Sequence, residues 1–267
     1  MPHQRERFPE RLVFERYWPE DVVDRIRLSL FQLGIHPYDL IRTGRATQRL
    51  AFWEDWQGLS SNALTGRYII EGWANGVVAL AGASGTGRPY LELIPDITTG
   101  GYLQLRLGNI LPTLPGPGIR QQVRASENPW FKTLLDYSTS PVGGTQDDYS
   151  GFTESVTTGL RQGIYFRVTN NNGWQLVCRD ASGETTLASP VNAGNAGTTA
   201  CFEFRVSQDG GLVQGFVDSR TMGGITTNIP TAALLIVPLA HDNRAAAVTT
   251  AGIPQCFGWG MKADLRA

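Results

Sequence analysis

Cysteine and histidine are scarce in this sequence, and their scarcity argues against several kinds of site. Cysteine occurs at only three positions, Cys178, Cys201 and Cys256, an odd and widely spaced set that matches neither a disulfide framework nor a zinc site. We expect free thiols that behave as small apolar side chains, with one Cys178–Cys201 bridge as the alternative. The three histidines leave little material for a Ser-His-Asp triad or a histidine metal site.

Charge and long apolar runs are also limited. Charged residues make up 18% of the 267 residues and the formal net charge is −1, so the overall charge favours neither nucleic acid nor an anionic membrane as a partner. No apolar run approaches the ~18 residues of a membrane span. The first residues, MPHQRERFPERLVF, lack the apolar stretch of a signal peptide. We therefore expect a protein that is made and folded in a cytosol.

Turn-forming residues and alternating apolar positions are abundant instead. The chain has 31 glycines and 15 prolines, and its clearest pattern lies in Gly163–Asp180. Apolar side chains occupy every second position in residues 164–168 and again in residues 174–178, which predicts two strands with one apolar and one largely polar face. The intervening Asn170–Gly173 tolerates the positive φ angles that a hairpin bend needs.

Similar runs recur along the chain and set the predicted fold class. Leu103, Leu105 and Leu107 alternate with Gln104 and Arg106, and turn signals recur every 8–12 residues in much of the sequence. We predict ten to twelve short strands in an all-β, antiparallel sandwich or jelly roll, because neither βαβ alternation nor a fixed-period repeat occurs. Two segments are expected to be loops: the proline-rich 110–120, and 141–155 with its Asp147-Asp148 pair.

The first fifty residues have a different composition and are predicted to be a separate anchoring segment. Residues 1–18 are expected to form an extended arm or a frayed terminus. Pro19 and the acids after it predict a helix that ends near Leu33, followed by Gly34. The predicted boundaries are therefore 1–50 for the arm and helix and 51–267 for the β domain. The candidate partner-binding residues are the aromatics of the arm and the apolar stripe of the helix: Phe8, Phe14, Tyr17, Trp18, Val22, Ile26 and Leu30.

Acidic residues do not form the pattern that glycoside hydrolysis requires. Two carboxylates on one strand face would be spaced as E-x-D, since alternate residues point the same way. Glu71, Glu92 and Glu203 stand singly, Glu54-Asp55 would point apart in a strand, and Asp147-Asp148 falls in the predicted loop. Each acid is therefore expected to be a solvated surface charge. A hydrolase with a dispersed pair drawn from Glu71, Glu92 or Glu203 remains the third-ranked function.

Cofactor and metal motifs are weak for similar reasons. Gly82–Gly87 resembles a phosphate-binding loop, but Arg88 and Pro89 stand where Lys and Ser/Thr are needed. The Asp147–Ser150 cluster offers oxygen ligands for calcium without the spacing of an EF-hand. Trp174 shares a strand face with Leu176 and Cys178, which favours core packing over stacking on a sugar. We predict no catalytic, cofactor-binding or metal-binding residues.

The later motifs resemble a known family. The series GIYFRV, NGWQLVCRD, GETT, FEFRVS and VQGFVD, followed by TTNIPTAALLIVPLAHDNRAAA and a terminal aromatic strand, resembles the concanavalin A-like jelly-roll domains of tailed-bacteriophage virion proteins. The likeness is best over residues 160–267 and extends from about residue 51. These motifs belong to the fold and carry no catalytic group. The resemblance implies a structural or adhesive role in a capsid, tail or fibre.

The resemblance sets the expected function as a non-enzymatic virion structural protein. We expect a head decoration or cement protein in particular, since the chain has neither fibrous repeats nor coiled-coil heptads. Its partners would be the major capsid protein or other virion proteins and further copies of itself, as a dimer or trimer, assembled in the host bacterial cytoplasm. The main alternative is a tail, baseplate or fibre protein whose jelly roll binds a surface glycan.

Overall fold

The structure is a computed structural model, and the residues that it describes lie mostly in β-strands. It describes residues 49–54, 56, 68–73, 77–82, 89–94, 102–108, 122–139, 145–154, 162–169, 173–189, 199–246 and 253–264. Sixteen strands lie in these ranges, more than the ten to twelve predicted. They are β1 Arg49–Glu54, β2 Tyr68–Trp73, β3 Val77–Gly82, β4 Pro89–Ile94, β5 Tyr102–Leu107, β6 Gln122–Val123, β7 Trp130–Thr139, β8 Thr145–Thr153, β9 Gly163–Thr169, β10 Gln175–Arg179, β11 Glu184–Ala188, β12 Ala200–Val206, β13 Val213–Val217, β14 Arg220–Ile225, β15 Leu234–Ala246 and β16 Ile253–Asp264.

The strands form two antiparallel sheets that pack face to face. β-sheet A has the order β14-β13-β12-β7-β16-β4-β3, with β1 paired to β16. β-sheet B has the order β11-β10-β9-β8-β15-β5-β2, with β6 paired to β15. The long strands β15 and β16 each join partners from distant parts of the sequence. This arrangement confirms the predicted antiparallel jelly-roll sandwich.

The core lies between the inner faces of the two sheets and is rich in aromatic rings. Phe131 and Phe204 of β-sheet A contact Phe152 of β-sheet B, with ring centroids 5.3 and 5.2 Å from it. Phe166 likewise lies 5.2 Å from Phe202 of the opposite sheet. All five rings are fully buried. Such interdigitated rings add edge-to-face contacts to the free energy of apolar burial.

The predicted hairpin Gly163–Asp180 is confirmed as β9 and β10. Ile164 pairs with Cys178 and Phe166 pairs with Leu176 across the two strands. Trp174 is 1% exposed and lies 5.3 Å from the ring of Phe202, so it is a core residue as predicted. Two residues on the opposite face of the hairpin, described below, are buried as well.

The segment 145–153 was predicted to be an exposed loop, and this prediction is wrong. It forms β8, which pairs with β9 on one side and β15 on the other. Asp148 and Ser150 within it are fully buried. The Ser150 hydroxyl donates to the main-chain oxygen of Pro238 at 2.6 Å, a contact across 88 residues of sequence that local patterns do not reveal.

The cysteines are free thiols, as expected. Cys178 and Cys256 are buried and Cys201 is partly exposed. Cys178 lies on β10 of β-sheet B and Cys201 on β12 of β-sheet A, and the alternative bridge between them is not formed. Burial raises the pKa of Cys178 to about 12 and that of Cys256 to about 11.

Several predictions fall outside the described residues. They concern the arm and helix of residues 1–48, which include Phe8, Phe14, Tyr17, Trp18, Val22, Ile26 and Leu30, and the loops at 83–88, 109–121 and 190–198. The division of the chain at residue 50 therefore stays a prediction. Among the described residues, no helix is long and apolar enough to cross a membrane.

Candidate binding surface on β-sheet B

The face of β-sheet B that points away from β-sheet A carries an unusual set of polar and buried residues. We call it the outer face. Strand alternation places its members opposite the core residues, because Leu103, Leu105 and Leu107 point inward and Gln104 and Arg106 point outward. Its described members include Glu71, Gln104, Arg106, Asp147, Tyr149, Tyr165, Arg167, Val177, Arg179, Glu184, Val237, Ala240 and Asp242.

One row of residues crosses the middle of this face. Glu71 pairs with Gln104 between β2 and β5, and Gln104 pairs with Ala240 on β15. Ala240 in turn pairs with Tyr149 on β8, and Tyr149 pairs with Arg167 on β9. We call these five residues the central row. Since neighbouring strands lie about 4.8 Å apart, the row extends roughly 19 Å across the sheet.

A small apolar cluster lies beside and within this row. Tyr149, Tyr165, Val177, Val237 and Ala240 are each at most 7% exposed and contact one another. The Tyr149 and Tyr165 rings meet edge to face at 5.3 Å. On this largely polar side of the β9–β10 hairpin, Tyr165 and Val177 are therefore buried as well.

Ion pairs connect the strands on both sides of the cluster. Arg167 donates two parallel hydrogen bonds to Glu184, at 2.9 and 2.7 Å, and its side chain crosses β10 to reach β11. Arg179 adds a third contact to Glu184 at 3.3 Å. Burial lowers the pKa of Arg167, but its bonds to Glu184 outweigh this effect and leave the pKa raised. On the other side, Arg106 donates to Glu71 at 2.5 Å.

Gln104 is the exception among the polar residues of the central row. Its side chain is fully buried, yet neither its amide nitrogen nor its amide oxygen has a hydrogen-bond partner. The side-chain Nε atoms of Arg106 and Arg167 also lack an acceptor. A buried amide without a hydrogen bond costs about 1–3 kcal/mol by protein mutational data. This surface therefore contains unsatisfied hydrogen-bonding capacity, concentrated at Gln104.

Two pairs of titratable residues face each other where β8 runs beside β15. Asp147 pairs in register with Asp242 on the outer face, and the Tyr149 hydroxyl donates to Asp147 at 3.1 Å. On the inner side, Nδ1 of His241 lies 2.9 Å from a carboxylate oxygen of Asp148, and both side chains are 1% exposed. Sequence patterns missed both pairs, because each joins residues more than ninety positions apart.

The acids considered for hydrolysis do not come together. Glu71 lies on the outer face of β-sheet B, whereas Glu92 and Glu203 lie on the opposite side of the sandwich, in β-sheet A. Glu92 lies on β4 and Glu203 on β12, and the strands β16 and β7 lie between them in β-sheet A. The two acids are therefore three strand spacings, or roughly 14 Å, apart. Paired catalytic carboxylates require a distance of about 5–10 Å.

Several of the acids expected to be solvated are structural instead. Glu54 is 4% exposed and accepts hydrogen bonds from the main-chain N–H of Trp56 and the hydroxyl of Tyr68. Glu203 accepts a 2.8 Å bond from the indole N–H of Trp130. Each acid thus satisfies a donor that would otherwise be left without a partner on folding.

The two carboxylates of the Asp147–Ser150 cluster, which was the calcium alternative, do not come together. Asp147 and Asp148 are consecutive strand residues, so their side chains point to opposite faces of β-sheet B. Within the residues that the structure describes, no group of three or more His, Cys, Asp or Glu side chains is placed to hold a metal ion.

Comparison with known proteins bears on the fold. No family model and no curated protein matches the chain. Among solved structures, a protein of unknown function from Shewanella oneidensis MR-1 has a TM-score of 0.55 at 12% identity, over 87% of this chain and 97% of that one. The β-glucanase of Bacillus licheniformis has a TM-score of 0.51 at 12% identity, over 80% and 98%. These likenesses, at 12% identity, show the fold alone, a two-sheet β-sandwich.

Proposed function

We propose that this chain is a non-enzymatic structural protein of a bacteriophage particle, and specifically a head decoration or cement protein. Its strand motifs from Gly163 onward support this proposal through their resemblance to virion jelly rolls. The observation that best supports a non-enzymatic role is the pairing of two outer-face acids with arginine side chains. Glu71 and Glu184 each form ion pairs with arginine, so these carboxylates link neighbouring strands.

In this proposal the jelly roll is a rigid platform, and the first fifty residues attach it to the particle. Phe8, Phe14, Tyr17 and Trp18 would contact the major capsid protein or a neighbouring virion protein, together with the apolar stripe at Val22, Ile26 and Leu30. The chain would assemble as a dimer or trimer in the host bacterial cytoplasm. Buried aromatic anchors commonly contribute a large share of the binding energy of a protein interface.

The copy number of the chain in purified phage particles tests this proposal directly. Quantitative mass spectrometry should find hundreds of copies per particle for a protein of the head surface. A handful of copies would move the protein to the tail, baseplate or fibre, where a carbohydrate-binding jelly roll is the alternative. Absence from the particles would refute the virion role.

A full-length variant tests the attachment role of the arm. Replacing Phe8, Phe14, Tyr17 and Trp18 by serine should abolish binding to particles that lack the protein, while the far-ultraviolet circular dichroism of the sandwich is unchanged. The matched control is Gln214→Ala, at an exposed position of β13, which should bind as the unmodified chain does. Full occupancy by the arm variant would contradict the proposed attachment.

Hydrolysis is the third candidate, after glycan binding by a tail or fibre protein, and would use Asp147 and Asp242, which oppose each other across β8 and β15. A pair of carboxylates is the arrangement that glycoside hydrolysis uses. Under the structural proposal, the full chain should release no reducing ends from host-envelope polysaccharides. Turnover that is lost in both Asp147→Asn and Asp242→Asn would replace the structural proposal with this one.

A further inference from the structure

The side of β-sheet A that points away from the core carries cations that are supported by aromatic rings. Its members alternate along β7, β12, β13 and β16 with residues of the core. Arg205 on β12 pairs in register with Trp130 on β7, and Trp130 pairs with Lys262 on β16. The neighbouring row contains a phenylalanine, an acid and a lysine that pair in the same way. We call the two rows together the cationic patch: Arg205, Trp130, Lys262, Phe216, Glu203 and Lys132.

Arg205 is ordered by its neighbours and is also accessible to a partner. Its Nε–H donates to Glu203 at 2.6 Å, and its guanidinium carbon lies 4.9 Å from the centre of the Phe216 ring. The side chain is 59% exposed. Within the described residues its guanidinium is bonded through Nε alone, which leaves the four N–H donors of the two Nη atoms for a partner. An arginine that is already ordered loses less conformational entropy on binding than a freely rotating one.

Lys262 is supported in a similar way. Its ammonium nitrogen lies 5.9 Å from the centre of the Trp130 ring. That ring is held in place, because Trp130 is 4% exposed and its indole N–H donates to Glu203 at 2.8 Å. The strands of Arg205 and Lys262 are two spacings, or roughly 10 Å, apart. Two carboxylates at about this distance on one partner would contact both cations.

The charges of the cationic patch favour carboxylates over the phosphate backbone of a nucleic acid. Its three cations outnumber its one acid, Glu203, by two charges. Glu203 pairs in register with Lys132, and Asp264 lies two residues beyond Lys262, so closely spaced phosphates would also meet negative charge. The chain as a whole has a formal net charge of −1, whereas a domain that binds nucleic acid is commonly strongly basic. Arginine and aromatic residues are enriched where proteins contact each other.

We propose that the cationic patch is a docking surface for an acidic segment of a partner protein, in which Arg205 binds one carboxylate through its two Nη atoms and Lys262 binds a second. Arginine can donate two parallel hydrogen bonds to one carboxylate. The Phe216 and Trp130 rings hold the two cations at the required spacing. This surface lies on the sandwich, so it is independent of the arm and does not require the virion role.

Fluorescence anisotropy on the full chain tests the surface with fluorescein-labelled hexaglutamate at low salt. The unmodified chain should bind this peptide, and added salt should weaken binding because exposed charges are screened. Arg205→Gln should weaken binding by about fivefold or more, since the carboxylate loses its bidentate donor. Phe216→Leu should weaken it by a smaller factor, because it removes the ring that orders Arg205 and keeps an apolar side chain. The matched control is Arg220→Gln, which removes another exposed arginine, on β14, and should bind within about twofold of the unmodified chain.

Three results would overturn the proposed docking surface. The first is failure of hexaglutamate to bind at millimolar concentration, and the second is equal affinity in Arg205→Gln and Arg220→Gln. The third is binding of an oligothymidylate of the same net charge as tightly as the peptide, which would show that the patch recognises phosphate. The copy number in particles and the arm variant test the virion role separately, so a failure of one proposal is distinguishable from a failure of the other.

Discussion

Replacing Gln104 by leucine should make the protein more stable, which is the opposite of what most substitutions in a buried position do. The two side chains have similar volumes, and the glutamine amide makes no hydrogen bond that the leucine would forfeit. Leucine also adds apolar contact with Ala240, its cross-strand neighbour. β5 already contains three buried leucines, at every second position, so a leucine is compatible with its strand conformation.

The expected gain follows from the cost of burying an unsatisfied amide. That cost is about 1–3 kcal/mol in proteins, and most of it should be recovered in the variant. For a domain of this size each kcal/mol shifts Tm by about 2–4 °C. We therefore expect Tm to rise by roughly 2–12 °C. In urea, the midpoint should rise while the slope stays constant, because the surface exposed on unfolding hardly changes.

A matched substitution at Gln255 should lower the free energy of unfolding instead. Gln255 is 7% exposed and its amide donates to the carboxylate of Glu92. Gln255→Leu removes this donor and leaves the carboxylate with the hydroxyl of Tyr90, and it should cost about 1–3 kcal/mol. If Gln104→Leu instead lowers the free energy of unfolding by a similar amount, the Gln104 amide has a hydrogen-bond partner, and the reasoning from its isolation is refuted.

Three further predictions concern the ion pairs, the thiols and the backbone. Glu184→Gln should lower the free energy of unfolding by about 1–2 kcal/mol in urea titrations, because the guanidinium groups that it binds are mostly buried; an unchanged midpoint would contradict this. Cys201 should react with a thiol reagent faster than Cys178. Burial raises the pKa of the Cys178 thiol to about 12 in the folded protein. The thiol therefore stabilises the folded state fully below pH 9, and this stabilisation is lost as the pH rises toward 12, because the unfolded chain gives up the proton more readily. Cys178→Ala should reduce this alkaline loss of stability in thermal melts. Gly151→Ala should lower the free energy of unfolding by about 2–4 kcal/mol, because the added carbon would lie 2.6 Å from a carbonyl oxygen and the backbone φ there is +150°. Gly211→Ala is the control: its added carbon would have no atom closer than 3.5 Å, so its free energy of unfolding should be within about 1 kcal/mol of that of the unmodified chain.

Alternation of apolar residues was sufficient to predict the strands whose core face is continuous. β9, β10 and β12 follow it closely, because the inner residues of each are buried against the opposite sheet. A period of two is a direct consequence of strand geometry, so it survives in any sandwich core. The fold class could therefore be predicted from sequence.

β8 was misread because its sequence has the composition of a loop. Thr145–Thr153 contains two acids, a serine and a glycine, residues that local rules assign to turns. What makes it a strand is pairing with β9 and β15, and Asp148 is tolerated inside because His241 is its cross-strand partner. The stabilising contacts come from residues that are distant in sequence, which local propensity does not include.

The position of Gln104 shows the limit of the same rule. Alternation correctly predicted that it points away from Leu103 and Leu105, but alternation does not say whether the face it points to is exposed. The outer face of β-sheet B is itself buried around Tyr165, Val177 and Ala240. Whether a second face is exposed depends on the tertiary structure above it, for which the strand sequence carries no signal.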